Sequence, residues 1–332
     1  YFTSRRPGST GNKTDAYAEY FEDIYESTLN GTTWSTPKNL GAPVNSENHD
    51  ACSGLTAEGH TLLIYRPGKT FLTGDIYSCD FDGTKWSAPV ALDKEVDSDK
   101  WQEPSACYSP DGNTLYFSSN RPGGFGGKDI YYVEKLPNGK WGKTLNLGPQ
   151  INTPYDEDAP FIHPDGKRLF FSSTGHENMG GYDVFYSVID SNLTFSKPVN
   201  MGYPLNTVDD DIYFVVTGNG NTGYISSDRE GGLGEADIYK VNLHENDLVY
   251  DVHTGFARSD SGAPLDANLT LIESKTHKIA GVFKSNSLSG KFILLMAPDR
   301  EYTVLCESDG FVSESIHMIN KELDFEIKLK KK

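Results

Sequence analysis

Four acidic residues, Asp50, Glu103, Glu157 and Asp211, occupy one position of a repeating pattern, each just ahead of a short run that ends in a turn. Carboxylates gathered in one place raise one another's pKa or recruit a cation such as calcium or magnesium. Two of them at a set separation can also hydrolyse a glycosidic bond, one as acid and one as base or nucleophile. Catalysis needs different residues in different roles, whereas these four share one repeat position. The neighbouring Asp156, Asp158, Asp209 and Asp210 make the region acidic in general. The pattern predicts an acidic ring at the mouth of a central channel, with a structural or cation-holding role. It assigns no catalytic residue.

A second series opens the tripeptides Asp23-Ile24-Tyr25, Asp75-Ile76-Tyr77, Asp129-Ile130-Tyr131, Asp183-Val184-Phe185 and Asp237-Ile238-Tyr239. Their spacings of 52, 54, 54 and 54 residues mark a repeat architecture. A short carboxylate at the start of a strand accepts N–H groups of the turn before it. A structural role is therefore expected for all five aspartates. The Gly-rich stretches ahead of them, at 122–127 and 231–234, are not phosphate cradles, because they lead into strands and not into helix N-termini. The eight histidines lack ligand spacing, and no Gly-x-Ser-x-Gly motif occurs. No metal and no cofactor are assigned.

The third repeat shows the elements that would position these residues. A run at 103–109 ends in Pro110-Asp111-Gly112, and a second run covers 115–119. The Gly-rich loop follows at 120–128, then a third run at 129–134, the turn Pro137-Asn138-Gly139, and a fourth run at 141–147. Short β-branched and aromatic runs between turn residues predict four antiparallel strands in a meander. The runs are continuously apolar, as in strands covered on both faces, which fits the stacked sheets of a β-propeller. An aromatic followed three residues later by Pro, as in Trp34 to Pro37 and Trp86 to Pro89, suits an outer edge strand. The first repeat lacks its first run, and the fifth has Val249 where the aromatic is expected. Residues upstream of Tyr1 are expected to supply the closing strand.

The repeats give way near 242–251 to shorter, alternating runs at 252–258, 267–273, 279–284, 291–296, 302–307, 312–318 and 324–329. The expected architecture is all-β: a five-bladed β-propeller over 1–245 followed by a small β-sandwich over 250–332. The net charge of −17 over 332 residues argues against nucleic acid, and no apolar run reaches the length of a membrane helix. The cysteines Cys52, Cys79, Cys107 and Cys306 are scattered and read as small buried apolar groups.

The repeats resemble the TolB-like or WD-type propeller repeats of Bacteroidetes envelope proteins. The matching residues are Pro110-Asp111-Gly112, the segment Leu115 to Arg121, Gly126-Gly127-Lys128-Asp129-Ile130-Tyr131, and Trp141 to Leu147. The tail, with Gly262-Ala263-Pro264-Leu265, Ser289-Gly290-Lys291-Phe292 and Asp309-Gly310-Phe311, looks like a carboxypeptidase regulatory-like domain of transthyretin-like fold. This order of domains is similar to the OmpA-family periplasmic components of the type IX secretion system. The resemblance implies a non-catalytic scaffold whose partners are other secretion-complex or envelope proteins. It also implies a periplasmic, outer-membrane-associated lipoprotein precursor that meets peptidoglycan only through a domain absent from this chain. The alternative is a glycan-active hydrolase or glycan-binding propeller using the channel-mouth carboxylates. Trp101 and Tyr155, beside the acidic series, would then be its exposed aromatics; as structural residues they would wedge between blades.

Overall fold

The computed structural model describes residues 1–68, 73–98, 100–190, 192–243, 250–319 and 324–332. His244 and Val249 lie outside the described residues. Among the described residues the chain is all-β apart from one 3-10 turn at Thr10–Asn12.

Five antiparallel sheets follow one another along the repeats. The second has strands Ala51–Leu55, Thr61–Pro67, Gly74–Asp80 and Val90–Ala91. The third has Ala106–Tyr108, Thr114–Ser119, Asp129–Glu134 and Leu145–Asn146, and the fourth has Glu157–Ile162, Arg168–Ser173, Asp183–Val188 and Val199–Asn200. Each is a simple meander, called here strands A to D from inside outwards. The first sheet, Phe2–Ser4, Asp23–Glu26 and Lys38–Asn39, has no strand A among the described residues. The fifth, Asp211–Val216, Thr222–Ser227 and Asp237–Asn242, has no strand D among them.

Consecutive sheets pack face to face, which is the arrangement of a β-propeller. Leu63 and Ile76 of the second sheet meet Leu115 and Phe117 of the third. Tyr116 and Ile130 of the third meet Leu169 and Phe171 of the fourth, and Phe170 and Val184 meet Phe214 and Ile225 of the fifth. This explains the continuous apolar runs, since both faces of the middle sheets are covered. Each enclosed Phe or Leu contributes about 1.5–3 kcal/mol by leaving water. The fifth sheet differs. Tyr213, Val215 and Ile238 are exposed, and Trp34 of the ribbon formed by Leu29–Asn30 and Thr33–Trp34 reaches the sheet through an edge contact with Tyr224 at 6.0 Å between ring centroids.

The aromatic-to-Pro marker sits elsewhere than expected. Trp86, Trp141 and Phe195 form isolated bridges to Phe81, Lys135 and Ile189 just after the C–D turn. Strand D begins only beyond the Pro position and is two residues long in each sheet that has it. Pro37, Pro89 and Pro198 have no N–H to give a ladder, so pairing starts after them.

The tail forms two sheets from seven strands. Asp251–Ser259 lies between Lys291–Met296, antiparallel, and Asp324–Leu329, parallel. Ile279–Lys284, Asn268–Glu273, Glu301–Glu307 and Glu314–Ile319 form the other. Leu269, Leu271, Phe292, Leu294, Val304 and Ile327 fill its core. The tail covers the end of the propeller that carries the A–B turns. Ser289 Oγ lies 2.7 Å from His60 Nδ1, and Tyr250 donates to Asp165 at 3.2 Å while stacking on His163. The D–A and B–C loops, and with them the acidic series, therefore lie at the opposite end.

Candidate functional site

Asp50, Glu103, Glu157 and Asp211 are each 0% exposed. They enter the start of strand A from a tight D–A loop, and the loop explains their burial. Asp50 accepts the Ser46 N–H and hydroxyl at 2.6 and 2.7 Å, Glu157 accepts both from Thr153, and Asp211 accepts both from Thr207. Asp50, Glu157 and Asp211 thus cap their own loops, and none of the four is open to solvent. This departs from the sequence expectation, because hydrogen bonding to the loop turned them inward.

The charges are met by arginines at the end of strand B. Arg66 donates to Asp50 at 2.5 Å, Arg121 to Glu103 at 3.1 Å and Arg229 to Asp211 at 2.6 Å. Each also donates to a carbonyl of the same D–A loop, Val44, Val96 or Leu205. Their planes lie over Tyr77, over Phe117 and Tyr131, and over Tyr239. In the fourth sheet this Arg is lost. His176 Nε2 contacts the Ile151 carbonyl at 2.8 Å in its place, and Glu157 has Ser173 and Thr153 but, among the described residues, no cation at hydrogen-bond distance. Burial pushes the Glu157 pKa up. The sequence reading missed these arginines, although they recur with the period of the aspartates.

The repeated aspartates receive the B–C loops. Asp129 accepts the N–H groups of Phe125 and Gly126 at 2.6 and 2.9 Å; Asp23 accepts that of Thr10, Asp183 that of Met179, and Asp237 those of Leu233 and Gly234. Asp75 is the second residue of strand C of the second sheet. Two asparagines complete the arrangement in three sheets. Asn39, Asn146 and Asn200 of strand D donate to Asp23, Asp129 and Asp183. Asn45, Asn152 and Asn206 of the D–A loop clasp the backbone N–H and C=O of Ile24, Ile130 and Val184 and donate to those strand-D asparagines. In the second sheet the two positions are Ala91 and Asp97. Burial pushes Asp97 up to about 7, and Asp75 and Glu103 add to the rise.

One charged group crosses between sheets near the axis. Lys128 pairs closely with the buried Asp158, which also accepts Ser105 and Ser118 at 2.5 and 2.7 Å. Burial works against both charges, but their attraction outweighs it, so Lys128 is raised and Asp158 lowered. Lys128 lies over the Tyr182 ring, and Tyr182 donates to Asp156 at 3.2 Å. Asp156 and Asp210 accept the N–H groups of Lys128 and Tyr182. A cleft of about 400 Å³ at this end is lined by Arg5, Asp15, Glu22, His49, Tyr65 and Pro67.

The loops at this end of the third to fifth sheets expose apolar side chains. Phe125, Met179 and Leu233 of the B–C loops and Tyr155, Tyr203 and Val208 of the D–A loops are all exposed, Leu233 completely and Tyr203 at 79%. Tyr155 therefore does not wedge between sheets. Trp101 is half-buried, and its carbonyl accepts the Gly74 N–H. The loops hold each other closely. A Cβ on Gly126 would meet the Tyr155 carbonyl at 1.7 Å, and one on Gly180 would meet Val208 at 2.3 Å.

No family model and no curated protein sequence matches the chain. Solved structures similar in chain path are of low identity. The chain is 11% identical to TolB from Acinetobacter baumannii over 97% of its own length and 64% of that protein, with a TM-score of 0.44. It is 11% identical to sucrose-6-phosphate hydrolase from Lactobacillus gasseri, over 94% and 80% of the two chains, with a TM-score of 0.48. It is 15% identical to endo-arabinase from Bacteroides thetaiotaomicron, over 68% and 87%, with a TM-score of 0.45.

Proposed function

We propose that this chain is a non-catalytic protein-binding part of a periplasmic, outer-membrane-associated scaffold, working in a type IX secretion complex. Its partners would be other envelope proteins, met through the propeller end opposite the tail. The observation that supports this reading is the set of exposed apolar residues there, Phe125, Tyr155, Met179, Tyr203, Val208 and Leu233, on loops of three neighbouring sheets. Aromatic and large apolar groups on a firmly held surface are what protein interfaces use as anchors. The acidic rim of Asp156, Asp209 and Asp210 favours a partner with basic residues around an apolar centre. The glycan-hydrolase alternative needs two carboxylates of unlike environment facing a substrate. The four candidates are instead all enclosed, and Asp50, Glu157 and Asp211 are used by their own loops.

The test is the double substitution Tyr203→Asp and Leu233→Asp in the full-length protein in its own cell. Loss of two anchors should weaken partner binding at least tenfold, since a single hot-spot residue can be worth about 2 kcal/mol or more. Recovery of secretion-complex proteins with the purified variant should drop accordingly while its Tm stays unchanged. Undiminished recovery and normal secretion would remove this face from the interaction.

A further inference from the structure

We propose that the second sheet holds a hard divalent cation, calcium before magnesium, between Asp75, Asp97 and Glu103. One carboxylate oxygen of each lies within 4.8 Å of those of the other two. Oxygens bound to one calcium at about 2.3–2.6 Å stand at most about 5 Å apart, so the three can share an ion. Glu103 is fully enclosed, and only half of it is used. Its Oε1 receives Ser119 and Arg121, while Oε2 has no hydrogen-bond partner among the described residues.

The other repeats show what this place normally contains. In the first, third and fourth sheets the D–A loop supplies an Asn and strand D a second Asn, and their amide groups donate to the carbonyl, to each other and to the repeat Asp. In the second sheet Asp97 still accepts the Ile76 N–H at 3.0 Å, as Asn45, Asn152 and Asn206 do for their own strands. Its second oxygen accepts the Leu92 N–H at 3.0 Å where they have a donating amide, and Ala91 has no side-chain donor. One sheet has thus exchanged amide donors for an added negative charge, beside a buried Glu103 and with Asp75 and Asp97 partly covered. Arg121 pairs with Glu103, and a set of carboxylate oxygens is what a hard divalent ion takes as ligands. Magnesium binds with several of its own waters, whereas an enclosed set of protein oxygens favours calcium. Such an ion would tie the start of strand C of the second sheet to the chain entering the third.

The experiment uses the purified chain freed of metal with EDTA. Thermal melting is followed during calcium addition, and calcium content is measured by equilibrium dialysis with the isotope. The expected result is one tightly bound ion and a Tm rise of several degrees that saturates. Asp97→Asn rebuilds the side chain found in the sibling sheets. It should fold, melt without metal at or above the wild-type temperature, and lose both the bound ion and the calcium shift. Should that variant not fold, Ala91→Asn with Asp97→Asn, which restores both amides, serves the same purpose, and the wild-type dialysis stands by itself. A wild-type chain with no bound ion overturns the proposal. So does a calcium shift that Asp97→Asn leaves intact, which would place the ion elsewhere on the acidic surface. A metal-free chain stabilised by lowering the pH from 8 to 6 but indifferent to calcium would hold a shared proton, and would equally overturn it.

Discussion

Glu157 and Asp211 occupy the same repeat position, yet their surroundings ask for different substitutions. Asp211→Asn leaves Arg229 without its buried partner, which should cost about 3 kcal/mol in denaturant unfolding. Glu157 has no such cation and burial raises its pKa, so its ionised form is a burden on the fold. Glu157→Gln keeps the shape and should change stability by less than about 1 kcal/mol. It should also flatten the fall in stability as pH rises above the ordinary carboxylate value near about 4. Asp158 has the reverse sign. Lys128 holds it low, so its contribution is present above the ordinary value and is lost as pH falls through the folded one. Asp158→Asn strands Lys128 and should cost about 3–5 kcal/mol at pH 7, with a flatter acid limb in melts below about pH 4. The sequence placed these acids at their repeat positions. It did not show that the loop and an Arg 16 to 18 residues onward would enclose them, because a side chain's direction depends on contacts made across the sheet.

The strands were legible because their periods are physical. Continuous apolar runs marked sheets covered on both faces, and alternation in the tail marked sheets with one wet face. Strand D was overestimated, since an aromatic and a Pro looked like strand content but mark the bridge and the break before it. The B–C loops were read as Gly-rich connections whose N–H groups the repeat Asp would accept. They are gathered onto Asp129 and its relatives in that way, and Asp129→Ala removes an acceptor from two backbone N–H groups and from Asn146. A loss of about 2–4 kcal/mol is expected from the donors left behind, read as a lower Tm. Gly126→Ala tests the same packing from the other side. Its Cβ would run into the Tyr155 carbonyl, so the loop must move and the apolar rim with it.

Across the molecule, the tail and the propeller share a polar seam. His60 with Ser289 and Asp165 with Tyr250 bind opposite sides of the tail to different sheets. Calorimetry of the intact chain should show the two parts unfolding together. Tyr250→Ala with His60→Ala should separate the melt into two transitions, and a single unaltered transition would mean that the seam does not couple them. Three of the cysteines, Cys79, Cys107 and Cys306, are buried thiols pushed up to about 12 by their surroundings. They are therefore inert fillers in the folded chain and should become reactive only on unfolding. No period in the sequence announced the exposed rim, because its apolar residues come from loops whose lengths and types vary between sheets.

The tight seating of Gly126 and Gly180 against neighbouring backbone has a thermodynamic consequence for whatever meets the rim. Loops fastened in this way have little conformational freedom left to lose on association. Each side chain spared from ordering saves about 0.5–1.5 kcal/mol. A partner should thus find the surface already in its bound shape, and any disorder-to-order change in the complex should fall on the partner's side.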